Sequence, residues 1–227
     1  MCGLCGYYAT NGVQEVHVKI LKGLLIANQD RGADSTGVAW CGMKDRLYKR
    51  VKPAIDFVEN IQLGKADKIA IGHTRLATHG VVSRNNAHPF TKGSITGAHN
   101  GIVSNYLEIN NKVEVDSEVI FELIDKDGYT SAFEKLAGMF AIVWHDKNKP
   151  DEINFVRSGN PLTVASVPGV GYFWSSEILH LQAVLSQNFD NYDIISITPD
   201  TVYTVTPEEI IQTPVKFKPY TYSSLGK

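Results

Sequence analysis

The chain opens Met1-Cys2-Gly3-Leu4-Cys5-Gly6, with a cysteine directly behind the initiator methionine. Loss of that single methionine, which a small neighbour permits, would leave Cys2 carrying both a thiol and a free α-amine. One residue then holds a nucleophile and its base. An α-amine titrates at about 7.7–8.0 and a free thiol at about 8.5, so the amine can take up the thiol proton near neutral pH. The reaction class this proposes is acyl transfer through a thioester. A second reading stays open at the same residues: Cys2 and Cys5 form a Cys-x-x-Cys pair, as in half a zinc site or a redox motif. Against it, a structural zinc site needs four ligands, and the chain has one further cysteine, Cys41. A redox motif should also open a helix, whereas Gly6-Tyr7-Tyr8-Ala9 reads as extended chain.

Composition limits what surrounds this start. A chain of 227 residues makes one large domain and buries about 70–75% of its unfolded surface. The 22 basic and 24 acidic residues nearly cancel and form no long run, so neither a nucleic-acid footprint nor an acidic tail is present. No apolar stretch is long enough to span a membrane, and no signal peptide precedes a cleavage site. Three cysteines are a poor disulfide framework, which fits a reducing cytoplasm, the expected location.

Helical spacing of apolar residues occurs over Val18–Asn28, Ser117–Ile124, Thr130–Leu136 and Glu177–Leu185. Strand signals are more numerous: Val38–Cys41, Lys68–Ile71, Ser94–Ala98, Phe140–His145, Ile153–Val156, Leu162–Ser166, Gly171–Trp174, Ile194–Thr198 and Val202–Val205. Many are apolar throughout, as in sheets buried on both faces. The strands come in runs, so a βαβ series fits badly, and helices outside two stacked sheets fit better.

The loops between these elements are dense in polar residues and glycine. They include Gln29 to Gly37, Gly72 to Gly80, Asn86-Ala87-His88-Pro89-Phe90, Gly97 to Ile102 and Val115 to Val119. A thioester mechanism develops an oxyanion that needs two N–H donors. Asn100-Gly101 can supply a side-chain amide and a closely approaching backbone, but the same dipeptide is a leading hairpin turn. An amino-acid substrate needs a cation for its carboxylate and an anion for its ammonium. Arg75 can fork onto a carboxylate, helped by Thr78 and His79. Asp116 can take the ammonium, or equally cap the helix that follows. His73, His79, His88 and His99 lack a metal-binding spacing, so no metal and no cofactor is expected.

Together these residues resemble the class II glutamine amidotransferase domain of the N-terminal-nucleophile (Ntn) hydrolase superfamily, which begins glucosamine-6-phosphate synthase and amidophosphoribosyltransferase. Five motifs match in order: Met1-Cys2-Gly3, Arg31-Gly32-x-Asp34-Ser35-x-Gly37, His73-Thr74-Arg75-x-Ala77-Thr78-His79-Gly80, His99-Asn100-Gly101 and Asp116-Ser117-Glu118-Val119. Asn86-Ala87-His88-Pro89 fits the sugar-phosphate branch, and weaker matches continue through Gly138 to Ala141 and Arg157 to Leu162. The resemblance implies an α+β fold, a four-layer αββα sandwich of two mainly antiparallel sheets flanked by helices. It implies hydrolysis of the glutamine side-chain amide, with Cys2 as nucleophile and its α-amine as base, then as acid to the departing ammonia. Asn100 and Gly101 would form the oxyanion hole, Arg75, Thr78 and His79 would hold the carboxylate and Asp116 the ammonium. Arg31 would order the site from behind the nucleophile.

Three departures stand out. Leu76 replaces the tryptophan usual after the arginine in the glucosamine-phosphate synthases, and Cys5 sits where an aliphatic or aromatic residue is usual. The chain also stops where the family usually continues into a synthase or transferase domain. The expectation is therefore a stand-alone glutaminase, with a domain over 2–214 and a tail over 215–227. L-Glutamine would be its substrate, and an acceptor synthase or transferase on a separate chain would receive the ammonia. The tail reads either as a docking surface or as a mobile terminus. The oligomeric state is open, a homodimer being one candidate. The alternatives are an N-terminal-cysteine amidase acting on another γ-glutamyl or acyl amide, and a non-catalytic glutamine sensor.

Overall fold

The computed structural model of the protein describes residues 1–42, 45–62, 67–77 and 80–219. Thr78 and His79, expected at the substrate carboxylate, lie outside the described residues, as do Tyr220 and Tyr222 of the C-terminal segment.

Strand β1 (Gly3–Ala9) shows how the sequence builds the layers. It is buried along its whole length, and alternate side chains enter different cores. Cys5, Tyr7 and Ala9 join one cluster, and Leu4 and Tyr8 join another. Successive side chains of a strand point to opposite faces, so a strand apolar on both faces must lie between two layers. The further strands are β2 (Ser35–Cys41), β3 (Arg46–Arg50), β4 (Ile69–Arg75), β5 (Phe90–Lys92), β6 (Ile95–Val103) and β7 (Gly138–Asp146). After them come β8 (Ile153–Arg157), β9 (Thr163–Val167), β10 (Gly171–Ser175), β11 (Asp193–Ser196), β12 (Thr201–Val205) and β13 (Ile210–Pro214). The helices are α1 (Glu15–Ala27), α2 (Ala54–Phe57), α3 (Tyr106–Ile109), α4 (Ser117–Asp127), α5 (Tyr129–Lys135) and α6 (Ile178–Leu185).

The strands form two sheets, in the orders β11-β9-β10-β1-β4-β2-β3 and β13-β12-β8-β7-β6-β5. Every pairing among the described residues is antiparallel. Leu21, Leu24 and Leu25 of α1, Phe57 of α2 and Leu181 and Leu185 of α6 cover the outer face of the first sheet. Val119, Ile120 and Leu123 of α4 and Phe133 of α5 cover the second, packing on Phe140, Ile142 and Trp144 of β7. Leu4, Ile71, Ala98, Val143, Phe155 and Trp174 fill the gap between the sheets. This is the αββα sandwich that the resemblance implied.

Each expected helix is present with its ends moved by a few residues. α1 begins earlier because His17 serves as an unmarked cap, its Nδ1 accepting the Gln14 N–H at 3.0 Å. Strands β3, β5 and β13 had no sequence signal: they are short or half-exposed sheet-edge strands without an apolar run. The hairpin reading of Asn100-Gly101 is wrong. Both residues lie inside β6, with Asn100 opposite Ala141 and Gly101 opposite Phe140 in β7. At the C-terminus, Val215 is buried and Phe217 packs on Phe133 and Phe140, at ring separations of 5.2 and 4.9 Å.

Candidate active site

Strand alternation brings the expected nucleophile, cation and oxyanion donor to one end of the inter-sheet gap. Cys2 falls on the side of β1 that carries Leu4. Arg75 falls on the side of β4 that carries Ile69 and Ile71, and Asn100 on the side of β6 that carries Ala98. The residue before β1, the last residue of the neighbouring β4 and a residue of β6 in the other sheet are thus the three contributors.

Cys2 is half-buried, its Sγ 3.4 Å from both the N–H and the carbonyl oxygen of Leu76. Burial pushes its thiol up from the usual range, while the Leu76 amide, the N-terminal charge and the Arg75 guanidinium pull it down and Asp116 pushes it up. Arg31, the last residue of a single 3-10 turn after α1, donates from Nε to the Cys2 carbonyl at 2.8 Å and pairs through Nη1 with Glu177. The neighbouring Gly32 admits no side chain: a Cβ there would lie 2.4 Å from the Arg75 carbonyl carbon and the Leu76 nitrogen. Asp34 closes the same loop, donating its N–H to the Arg75 carbonyl at 3.0 Å and accepting the Ala77 N–H at 2.8 Å. The segment from Arg31 to Asp34 therefore braces the backbone that touches the thiol.

Arg75 is buried and donates from Nη1 to the Val81 carbonyl at 3.3 Å. The charges of Cys2, Asp34, Asp116 and Glu114 all act on it. Asp116 is buried as well. It occupies the residue before α4 but makes no side-chain cap there. Its Oδ2 instead accepts the Val103 N–H of β6 at 2.9 Å, and its Oδ1 accepts from Ser117 Oγ at 3.4 Å. The capping alternative is thereby corrected: the carboxylate is turned toward the end of β6.

Asn100 is 1% exposed and donates from Nδ2 to Ser176 Oγ at 3.4 Å, while its own carbonyl accepts from Asn160 Nδ2 at 2.9 Å. Cys2, Asn100 and Gly101 line one cavity of about 260 Å³ together with Met1, Ile102, Met139 and Asn160. That is just under the ~300 Å³ at which small-molecule sites usually begin. Arg75 and Asp116 are not among its lining residues, although both act electrostatically on Cys2.

Sequence reasoning missed Asn160, Ser176 and Glu177. Ser176 ties the sheets: its Oγ accepts the Leu4 N–H at 2.9 Å and the Asn100 amide, and its N–H donates to the Leu4 carbonyl at 2.8 Å. The one local signal was the polar run Ser175-Ser176-Glu177 closing an apolar strand.

The histidines form a buried row beside this site. The rings of His73 and His88 stack at 4.1 Å, and His99 lies 6.3 Å from His88. His73 Nε2 is 3.1 Å from the His99 carbonyl, and His99 Nδ1 is 2.9 Å from Ser117 Oγ. Burial holds His73 down to about 3 and His88 well below the usual imidazole range.

The chain matches the family model "Glutamine amidotransferase domain" over residues 59–226. It is 33% identical to a glutamine–fructose-6-phosphate aminotransferase (isomerizing) of Acinetobacter baylyi, over 95% of this chain and 38% of the relative. The chain thus spans well under half the length of the curated relatives it matches. Two solved structures share the fold. A glutamine phosphoribosylpyrophosphate amidotransferase from B. subtilis has a TM-score of 0.72 at 21% identity, covering 94% of this chain and 49% of its own. An allosteric regulatory enzyme of purine biosynthesis has a TM-score of 0.76 at 22% identity, with the same two coverages of 94% and 49%. The chain belongs to the glutamine amidotransferase domain family, in its class II, Ntn-hydrolase form.

Proposed function

We propose that the chain hydrolyses the side-chain amide of L-glutamine through a thioester on Cys2 and passes the ammonia to an acceptor enzyme. One observation carries the reading: Cys2 from the first sheet and Asn100-Gly101 from the second line a single cavity, with the charges of Arg75 and Asp116 acting on the thiol. After loss of Met1, the α-amine of Cys2 takes the thiol proton as Sγ attacks the amide carbon. The tetrahedral oxyanion is held by the Asn100 side-chain amide and the Gly101 N–H. The ammonium form of the α-amine then returns its proton to the departing nitrogen, which leaves as ammonia with the thioester in place. Water, deprotonated by the same amine, cleaves the thioester to glutamate and regenerates the thiol. Arg75, with Thr78 and His79, holds the substrate carboxylate and Asp116 its ammonium. Arg31, tethered by Glu177, fixes the Cys2 backbone.

In this reading residues 2–214 form the amidotransferase unit, and residues 215–227 a C-terminal segment. The acceptor site lies outside this sandwich, which uses all the described strands. The curated relative's name points to a sugar phosphate as the acceptor class.

Intact-protein mass after exposure to an electrophilic glutamine analogue tests the chemistry. A single adduct mapped to Cys2 in protein lacking Met1 is expected, with glutamate and ammonia released from glutamine in a parallel assay. Processed protein that neither forms the adduct nor turns over glutamine, but cleaves another γ-glutamyl amide, would replace glutamine as the substrate.

A further inference from the structure

The opposite end of the sandwich holds a second convergence of reactive side chains. β2 runs from Ser35, opposite Arg75, to Cys41, opposite Ile69. At about 3.3 Å per residue, Cys41 stands about 20 Å along the strand from the active-site end. Cys41 belongs to the inter-sheet core. His145 shares the face of β7 that carries Ala141 and Val143, so it points into the same gap from the other sheet. Asp45, immediately before β3, completes the group. The Cys41 sulfur, an Asp45 oxygen and a His145 ring nitrogen all lie within 4.8 Å of one another.

Two further observations aim these side chains at one another. His145 is fully buried, and its ring nitrogens make only loose contacts, to the Asp45 carboxylate and the Pro150 backbone. Its Nδ1 faces Asp45 Oδ1 at 4.0 Å. The Asp45 carboxylate is itself aimed: Oδ1 accepts the Gly42 N–H at 3.3 Å, and Oδ2 accepts from Thr96 Oγ1 on the strand paired with His145. Supporting hydrogen bonds of this kind orient metal ligands.

We propose that Cys41, Asp45 and His145 bind one divalent cation of the zinc class, clamping the two sheets at the end remote from Cys2. A thiolate, an imidazole and a carboxylate suit zinc, whereas calcium and magnesium take oxygen donors alone. Water fills the fourth tetrahedral position, entering past Asp45, the member of the three with solvent access. Ligand atoms around tetrahedral zinc stand about 3.5 Å apart at the usual bond lengths. The group therefore contracts by up to about 1 Å on binding. Forming the S–Zn bond releases the Cys41 thiol proton to solvent, while His145 contributes a ring lone pair.

The test is zinc content after equilibrium dialysis of the intact chain against Zn²⁺, with thermal unfolding in parallel. One zinc per chain is expected, and a Tm rise of about 5–10 °C at free zinc near 100 times Kd. Cys41→Ser should lose the metal and the shift. Asp45→Ala, beside the partly exposed hairpin end, should lose both even if the buried Cys41 variant fails to fold. Cys2→Ser should keep both. Wild-type protein that retains no zinc, or zinc that disappears with Cys2→Ser and survives Asp45→Ala, would overturn the proposal.

Discussion

At Gly101 the backbone φ is +140°, a region L-residues rarely adopt, and a Cβ would lie 2.1 Å from the Met139 carbonyl oxygen. Any side chain there must push β6 away from β7 beside Asn100. Gly101→Ala should therefore destabilise the fold by about 1–3 kcal/mol, read as a lower denaturant midpoint, and should slow adduct formation at Cys2. A variant as stable and reactive as the parent would remove the backbone argument. Asn100→Ala tests the other donor. Loss of one oxyanion donor should lower kcat about 10²–10³-fold with little change in KM. Unchanged turnover with collapsed glutamine affinity would move Asn100 from the transition state to substrate binding. The residue types at these positions were legible because the chemistry demands them. Their conformation was not, since Asn100-Gly101 has the composition of a turn and only pairing with β7 makes it a strand.

Two elements hold the nucleophile's strand: the turn that carries Arg31 and the strand end at Ser176. Arg31 Nε reaches the Cys2 carbonyl while Nη1 holds Glu177, a fork that a lysine ammonium cannot reproduce. Arg31→Lys should slow alkylation of Cys2 about tenfold or more, the equivalent of one charge-assisted hydrogen bond, with the folded circular dichroism spectrum retained. Labelling at the parental rate would show that the Cys2 backbone is held by other contacts. The Arg31 motif was readable because its residues are consecutive. Ser176 and Asn160 were not, because each acts on β6 from a part of the chain 60 or more residues away.

Across the whole molecule, the row of His73, His88 and His99 lies buried beside the catalytic end. His73 is held down to about 3 and His88 well below 6.5 by burial. Between the unfolded value near 6.5 and those folded values, the unfolded chain binds more protons, so stability falls as pH falls. Two such histidines give a slope approaching about 2.7 kcal/mol per pH unit below pH 6, and none above about pH 7.5, where both states are neutral at these positions. Denaturant unfolding at a series of pH values measures it, and His88→Phe should remove about one proton from the slope. A stability unchanged between pH 7.5 and 5 would mean that the histidines become protonated in the folded state.

The sequence by itself determined the layered α+β architecture and the family, and pointed to the proposed reaction class and site residues, because each rests on local information: a cysteine behind Met1, apolar runs of strand length and motifs of a few consecutive residues. Tertiary structure alone decided that Asp116 turns its carboxylate onto β6 rather than capping α4, and that Ser176 joins β1 to Asn100. It alone brought Cys41 and Asp45 to His145, about 100 residues away. These are contacts between strands and sheets, set by register and by which face a residue takes. One position of slip in either sheet would send the same side chains into a different layer.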